Sequence, residues 1–168
     1  MSFLEDNFYT TLQFYFRMAL QVGSKAPDFT LPATGGLSFT LSQHVAGQAV
    51  ILYFYPKDFT PGCTAEACDF RDNIAQFSDL SIPVYGISRD SVATHEKFKE
   101  KYQLPFALLA DESGQVAKAY QALIPLIGIT KRITYLLDKN HQIAAVYESM
   151  FGAKQHIKAM IAQLNLVG

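Results

Sequence analysis

Residues 49–63 read AVILYFYPKDFTPGC, and this stretch decides the fold. Its first seven residues are all apolar or aromatic, which is typical of a central strand covered on both faces. Pro56 ends the strand, and Thr60 and Pro61 are residue types preferred at the N-cap and at the first position of a helix. The stretch therefore predicts a buried strand that leads through a short loop into a helix.

Cys63 is the third residue of this predicted helix. Its sulfur is expected to lie among unpaired backbone N–H groups at the positive end of the helix dipole, which favours the thiolate over the thiol. Gly62 leaves room for a small substrate beside these N–H groups, and ligands of open α/β sheets bind at the carboxyl ends of strands. A free cysteine is often only a packing residue, but these features together favour a reactive one.

Cys68 lies five residues further along the same helix. Five helical steps advance about 7.5 Å and turn the side chain by about 140°. A disulfide needs Cα atoms within roughly 6.8 Å, so a bond between the two cysteines requires the first turns to unwind. Either Cys68 is a passive packing residue, or this end of the helix melts during a redox cycle.

Metal binding and dithiol exchange are less favoured uses of the two cysteines. Structural zinc sites use cysteines two to four residues apart with further ligands close by, whereas the histidines of this chain are scattered. They are His44, His95, His141 and His156. The C-x-x-C pattern of thiol–disulfide oxidoreductases is missing from the sequence. We therefore expect neither a metal nor another cofactor.

The rest of the chain alternates strand and helix patterns. Hairpins are predicted at 28–41 and 133–147, further strands at 84–88 and 106–110, and helices at 63–77, 91–102, 113–120 and 153–164. Strand–helix–strand units require parallel crossovers, and the last hairpin adds antiparallel strands to the same sheet. The predicted fold is an α/β sandwich of three layers with a mixed central sheet.

Composition excludes several classes of protein. The 168 residues carry 14 Lys and Arg against 15 Asp and Glu, and a net charge of −1 argues against nucleic acid as a partner. No stretch has the roughly 18 unbroken apolar residues of a membrane helix. Residues 1–17 are rich in Phe and Tyr and contain Glu5 and Asp6, unlike a secretory or transit signal. We expect a single domain at 18–168, an N-terminal extension at 1–17, and a cytoplasmic location.

The pattern Pro56-x-x-x-Thr60-x-x-Cys63 resembles the active-site signature of peroxiredoxins. The wider run YFYPKDFTPGCTAEACDFRD, residues 53–72, is similar to the peroxiredoxin Q subfamily, also called bacterioferritin comigratory protein. The resemblance covers most of 18–168, including APDFTLP at 26–32 and RITYLLD at 132–138. It implies a thioredoxin-like fold and thiol peroxidase activity.

The resemblance also implies roles for individual residues. Cys63 matches the peroxidatic cysteine, and Cys68 matches the resolving cysteine of those members that have one in the same helix. Thr60 matches the residue whose hydroxyl orients sulfur and peroxide, and Pro56 the proline that shields the site. Arg132 matches the arginine that stabilises the thiolate and the departing oxygen.

Three further features stay open at the level of sequence. Lys131 is a weaker rival for the role of Arg132 because its stem is flexible. Glu66 either caps the first turn of the helix or pairs with Arg132. Residues 120–130, YQALIPLIGIT, are shorter and more apolar than the matching stretch of the subfamily, and form either a packed loop or an apolar rim that favours organic hydroperoxides.

The expected reaction is the reduction of hydrogen peroxide or an alkyl hydroperoxide, with a Cys63–Cys68 disulfide recycled by thioredoxin or a similar dithiol. The resemblance favours a monomer, with a dimer through the aromatic extension as the alternative. Two other functions are weighed against the peroxidase: a peroxide sensor that uses the same cysteine, and a thiol–disulfide reductase.

Overall fold

The computed structural model describes residues 19–148, 157 and 159–162. The strands are β1 (Thr30–Ala33), β2 (Leu37–Thr40), β3 (Val50–Phe54), β4 (Val84–Ser88), β5 (Leu108–Ala110), β6 (Ile133–Leu137) and β7 (Ile143–Glu148). The helices are α1 (Leu41–His44), α2 (Pro61–Asp72), α3 (Ile74–Asp79), α4 (Val92–Tyr102) and α5 (Gln115–Ala119). Residues 157 and 159–162 are also helical, as predicted for 153–164. The remainder of that helix and the extension at 1–17 lie outside the described residues.

All seven strands form one sheet in the order β2-β1-β5-β4-β3-β6-β7. β3 pairs in parallel with β4, and β4 with β5, while β6 runs antiparallel to β3 and β7. The predicted mixed sheet and final hairpin are thus confirmed. The first hairpin joins the same sheet through an antiparallel pairing of β1 with β5.

Alternate residues of β3 supply the two faces of the sheet, because successive side chains of a strand point in opposite directions. Leu52 and Phe54 pack in one core, and Ile51 and Tyr53 pack in the other. All five residues of β3 are buried, as a central strand covered on both faces requires. The second core also holds Cys63.

The predicted continuous helix over 63–77 is divided in two at Asn73. Asn73 has φ −108° and ψ 7°, and its side-chain amide donates to the Asp69 carbonyl at 2.8 Å. An asparagine side chain that bonds local backbone in this way competes with helix continuation. Phe70 and Phe77 still pack in the same core, so the predicted apolar stripe is confirmed although the helix is broken.

The pairing of β6 with β3 determines where the chemistry lies. Phe54 at the end of β3 pairs with Ile133 at the start of β6, so Arg132 lies at the same edge as the loop after β3. The carboxyl ends of β4 and β5 reach this edge as well, because both strands run parallel to β3. Within the described part of the chain, no helix is long and apolar enough to cross a membrane.

Candidate active site

The start of α2 has the geometry predicted from the sequence. Thr60 is the N-cap residue with an extended backbone, Pro61 is the first helical residue, and Cys63 is the third. The first helical hydrogen bond runs from the Thr64 N–H to the Thr60 carbonyl at 2.9 Å, so the N–H groups of Gly62 and Cys63 precede it. The Thr60 hydroxyl donates to the Lys57 carbonyl at 2.9 Å and makes no capping bond to the helix.

Arg132 contacts the sulfur of Cys63. Its Nη2 lies 3.3 Å from Sγ, and Cys63 is only 2% exposed. A guanidinium donor is always charged, and its interaction with a thiolate is strengthened where water is largely excluded. Gly62 allows this approach, since a Cβ at position 62 would lie 3.2 Å from the same Nη2.

Glu66 shares the guanidinium of Arg132. Nη1 donates to Glu66 Oε2, while Oε1 is buried and has no hydrogen-bond partner among the residues that the structure describes. Burial raises the pKa of Glu66 to about 7, although the charge and hydrogen bond of Arg132 oppose the rise. Of the two uses expected for Glu66, the structure shows the pairing with Arg132, and the planar fork of the arginine joins Glu66 to Cys63.

Lys131 makes a different contact from Arg132. Its Nζ lies 3.9 Å from a carboxylate oxygen of Glu148, at the end of β7. Pro56 is half-buried and follows Tyr55 at the end of the central strand. The structure thus brings Cys63 and Arg132 into contact and gives Lys131 another partner.

Cys68 is half-buried in the same intact helix as Cys63, and both thiols are free. α2 is continuous from Pro61 to Asp72, so it includes both cysteines. A bond between the sulfurs therefore requires the helix to unwind, as the spacing of the two residues indicated.

Sequence reasoning missed a buried polar cluster around Asp58, in the loop between β3 and α2. Asp58 Oδ1 accepts from the Tyr55 hydroxyl at 2.6 Å, and Oδ2 lies 2.7 Å from His95 Nδ1. The Asp58 N–H donates to Asp90 Oδ2 at 2.9 Å, and His95 Nε2 lies 3.2 Å from the Leu109 carbonyl. The available signal was that a polar residue, His95, falls in an apolar stripe of α4 that continues with Phe98.

Asp58, Asp90 and His95 also bring their ligand-type atoms within 4.8 Å of one another. Both ring nitrogens of His95 face oxygen atoms at hydrogen-bond distance, so neither is turned toward a cation. Asp90 Oδ2 accepts from the Ser88 hydroxyl and from the Asp58 N–H. These contacts are those of a hydrogen-bonded cluster.

Residues 120–130 place apolar side chains at the active edge of the sheet. Leu126 is fully exposed, and Ile127 and Ile129 are exposed as well. Arg89, which follows β4, holds the segment by donating to the Gly128 carbonyl at 2.7 Å. The segment therefore buries Tyr120 and Ala122 in the core and exposes the apolar side chains of its second half.

Comparison with protein families identifies relatives of the chain. A family model described as AhpC/TSA family matches residues 22–146. The chain is 42% identical over 153 residues to a putative peroxiredoxin bcp of Coxiella burnetii, a match that covers 88% of this chain and 100% of the relative. It is 39% identical over 155 residues to peroxiredoxin Bcp of Bacillus subtilis, covering 88% of this chain and 97% of the relative.

Solved structures give a matching result. The chain superposes on peroxidoxin BcpB from Mycobacterium tuberculosis with a TM-score of 0.83 at 34% identity, covering 89% of this chain and 99% of that one. It superposes on peroxiredoxin Q of Xanthomonas campestris with a TM-score of 0.78 at 30% identity, covering 86% and 97%. These neighbours have the thioredoxin fold, and the thioredoxin-like sandwich predicted from the sequence is confirmed.

Proposed function

Because this chain belongs to the AhpC/TSA family and is a thiol-dependent peroxidase of the peroxiredoxin Q type, we propose that Cys63 is its peroxidatic cysteine and Cys68 its resolving cysteine. The observation that carries the proposal is the contact of Arg132 Nη2 with Cys63 Sγ at 3.3 Å, in the first turn of α2. A cationic donor and the helix N-terminus both favour negative charge at this sulfur.

In the first step, the Cys63 thiolate attacks the terminal oxygen of the peroxide. A sulfur–oxygen bond forms as the oxygen–oxygen bond breaks, and the electron pair of that bond leaves with the departing oxygen, which then takes a proton. The sulfur is oxidised to a sulfenic acid, and the peroxide is reduced to an alcohol or water. Arg132 and the N–H groups at the start of α2 stabilise the charge as it moves from sulfur to oxygen.

In the second step, α2 unwinds and the Cys68 thiolate attacks the sulfenic sulfur of Cys63. The hydroxyl group leaves with a proton as water, and a disulfide joins the two residues. An external dithiol, thioredoxin or a similar protein, then reduces the disulfide by exchange. Unwinding is required because both cysteines lie in one intact helix in the reduced chain.

We propose that the substrates include organic hydroperoxides as well as hydrogen peroxide. The exposed side chains of Leu126, Ile127 and Ile129 support this proposal, because apolar surface at the active edge suits an alkyl group. A related protein, the bacterioferritin comigratory protein of Xanthomonas campestris, has alkyl peroxide reduction activity.

We also propose that residues 18–168 form the catalytic unit, that it acts as a monomer, and that its location is the cytoplasm. A disulfide that must be reduced in each turnover suits a reducing compartment. Sedimentation of the full chain and of a chain that begins at Met18 measures the oligomeric state of each. If the full chain is a dimer and the shorter chain a monomer, the N-terminal extension forms the dimer contact.

The decisive experiment combines mass spectrometry with stopped-flow measurement of peroxide consumption. One equivalent of hydrogen peroxide should remove two hydrogens from the protein and link residues 63 and 68. Cys63→Ser should consume no peroxide, and Cys68→Ser should oxidise once and then stall. Unchanged consumption by Cys63→Ser would remove Cys63 from the mechanism. Full turnover of Cys68→Ser with thioredoxin would overturn the resolving role of Cys68.

A further inference from the structure

The loop between β3 and α2 is held chiefly at Asp58. Its two carboxylate oxygens contact the Tyr55 hydroxyl, just after β3, and the His95 ring, on α4. Its backbone N–H donates to Asp90, just after β4. Asp58 and His95 are both buried, so these contacts are made away from water. One loop residue is thus attached to three elements of the fold.

Hydrogen bonds engage both ring nitrogens of His95. Nδ1 lies 2.7 Å from Asp58 Oδ2, which requires a proton between them. The Leu109 carbonyl is an acceptor, so Nε2 donates to it at 3.2 Å. Asp58 and His95 thus form a buried hydrogen-bonded pair, and removal of one partner leaves a buried polar atom of the other unsatisfied.

The next residue of the loop, Phe59, also depends on α4. It has φ 61°, a left-handed conformation that is an outlier for a bulky side chain and persists only where the surroundings enforce it. Its ring packs edge-on against Phe98 with centroids 5.2 Å apart. His95 and Phe98, on one face of α4, therefore hold two successive loop residues just before the N-cap of α2.

We infer that the Asp58–His95 pair is a positioning device for the reaction: it fixes the loop from which α2 starts and so keeps Cys63 against Arg132. The inference rests on the proposed function of Cys63. His95 acts through the backbone of the loop, so it is a positioning residue. Because the same attachment resists unwinding of α2, weakening it slows the attack on peroxide and speeds formation of the disulfide.

Two substitutions at the same position separate positioning from simple packing. In His95→Gln the side-chain amide nitrogen occupies the place of Nε2, so the bond to Leu109 is kept and the bond to Asp58 is lost. In His95→Asn the amide nitrogen occupies the place of Nδ1, so the bond to Asp58 is kept. Both remove the imidazole ring. His141→Asn is the matched control, since it removes a buried histidine bond to the Val45 carbonyl at the opposite edge of the sheet.

Two measurements on each full-length variant test the inference. Hydrogen exchange of residues 57–64 in the reduced protein, without peroxide, measures opening of the loop. Stopped-flow kinetics measure Cys63 oxidation and disulfide formation. His95→Gln should raise exchange and lower the oxidation rate, each by about tenfold, because it leaves a buried oxygen of Asp58 without its hydrogen-bond partner. His95→Asn should stay within about threefold of the wild type, and His141→Asn should leave exchange at 57–64 unchanged.

Equal effects of His95→Gln and His95→Asn would overturn the inference, because loss of ring volume would then explain both. An equal rise of local exchange in His141→Asn would also overturn it. If His95→Gln does not fold, Tyr55→Phe is measured instead, since it removes the hydroxyl that donates to the same Asp58 carboxylate. Unchanged hydrogen exchange at 57–64 in Tyr55→Phe would count against a positioning role of Asp58. A wild-type chain inert to peroxide would overturn the proposed function instead, since exchange is measured without peroxide.

Discussion

Two buried carboxylates flank the start of α2, and they are satisfied to different degrees. Both oxygens of Asp58 meet donors, and its partner His95 bonds a backbone carbonyl with its other nitrogen. Within the described part of the chain, only one oxygen of Glu66 accepts a hydrogen bond, and its partner Arg132 extends a second nitrogen to Cys63. Burial raises the pKa of Glu66 to about 7.

The difference indicates that the two hydrogen-bonded pairs have different roles. A fully hydrogen-bonded buried pair holds its surroundings in one arrangement, which suits Asp58–His95 to fixing a backbone loop. A pair with an unsatisfied oxygen and a shifted pKa is typical of a group near the chemistry. Arg132 therefore stabilises charge at the sulfur of Cys63, whereas His95 fixes the position of the loop. Substitutions at Arg132, Glu66 and Gly62 test this difference, in decreasing order of effect.

Arg132→Met should have the largest effect. It removes the charge that stabilises the departing oxygen, so the rate of Cys63 oxidation should fall by about 100- to 1,000-fold. Lys131→Met is the matched control and should stay within about threefold of the wild type, because its partly exposed pairing with Glu148, at 3.9 Å, contributes little. Stopped-flow kinetics measure both variants. If the oxidation rate falls more in Lys131→Met than in Arg132→Met, Lys131 and not Arg132 is the cation that stabilises the departing oxygen.

Glu66→Gln should change the pH dependence of stability. Between pH 4.5 and about 7, Glu66 is ionised in the unfolded chain and still protonated in the folded one. The unfolded state then binds fewer protons, so Glu66 lowers the free energy of unfolding as pH rises through this window, by up to about 3 kcal/mol.

Urea unfolding of both proteins from pH 4.5 to 8 measures this effect. The free energy of unfolding of the wild type minus that of Glu66→Gln should fall as pH rises and level off above about 7. A difference that rises with pH would show that the pairing with Arg132 outweighs burial, and the contrast between the two carboxylates would disappear.

Gly62→Ala should have the smallest effect, and it should separate rate from stability. The new Cβ would lie 3.2 Å from Arg132 Nη2, so the guanidinium must shift away from Cys63 Sγ. The oxidation rate should fall by about three- to tenfold, while the Tm stays equal or rises because alanine favours the helix. Thermal unfolding beside stopped-flow kinetics measures both quantities. A lower Tm with an unchanged rate would contradict the close approach.

The elements with strong local signals were predictable from the sequence. Continuous apolar residues defined β3, and the placement of Thr60, Pro61 and Cys63 at the start of α2 is confirmed. Arg132 was indicated by resemblance, and its contact with Cys63 agrees with that expectation. The catalytic roles of all five residues remain predictions: Pro56, Thr60, Cys63, Cys68 and Arg132.

The features that could not be predicted from the sequence depend on tertiary contacts. Asp58 and His95 are separated by 37 positions, and no local pattern joins a loop carboxylate to a helix ring. The left-handed Phe59 is held by packing against Phe98, which propensity does not encode. Asn73 breaks a helix whose apolar stripe continues, because its side chain bonds the Asp69 carbonyl.

The break at Asn73 limits how far a disturbance spreads along the chain. Helical hydrogen bonds form and dissolve cooperatively along an uninterrupted ladder. Since a new series of helical hydrogen bonds begins with α3 at Ile74, unwinding that starts at Cys63 should stop at Asn73, before it reaches Phe77. Unwinding in the proposed cycle is then limited to the three turns of α2, and Phe77 keeps its place in the second core.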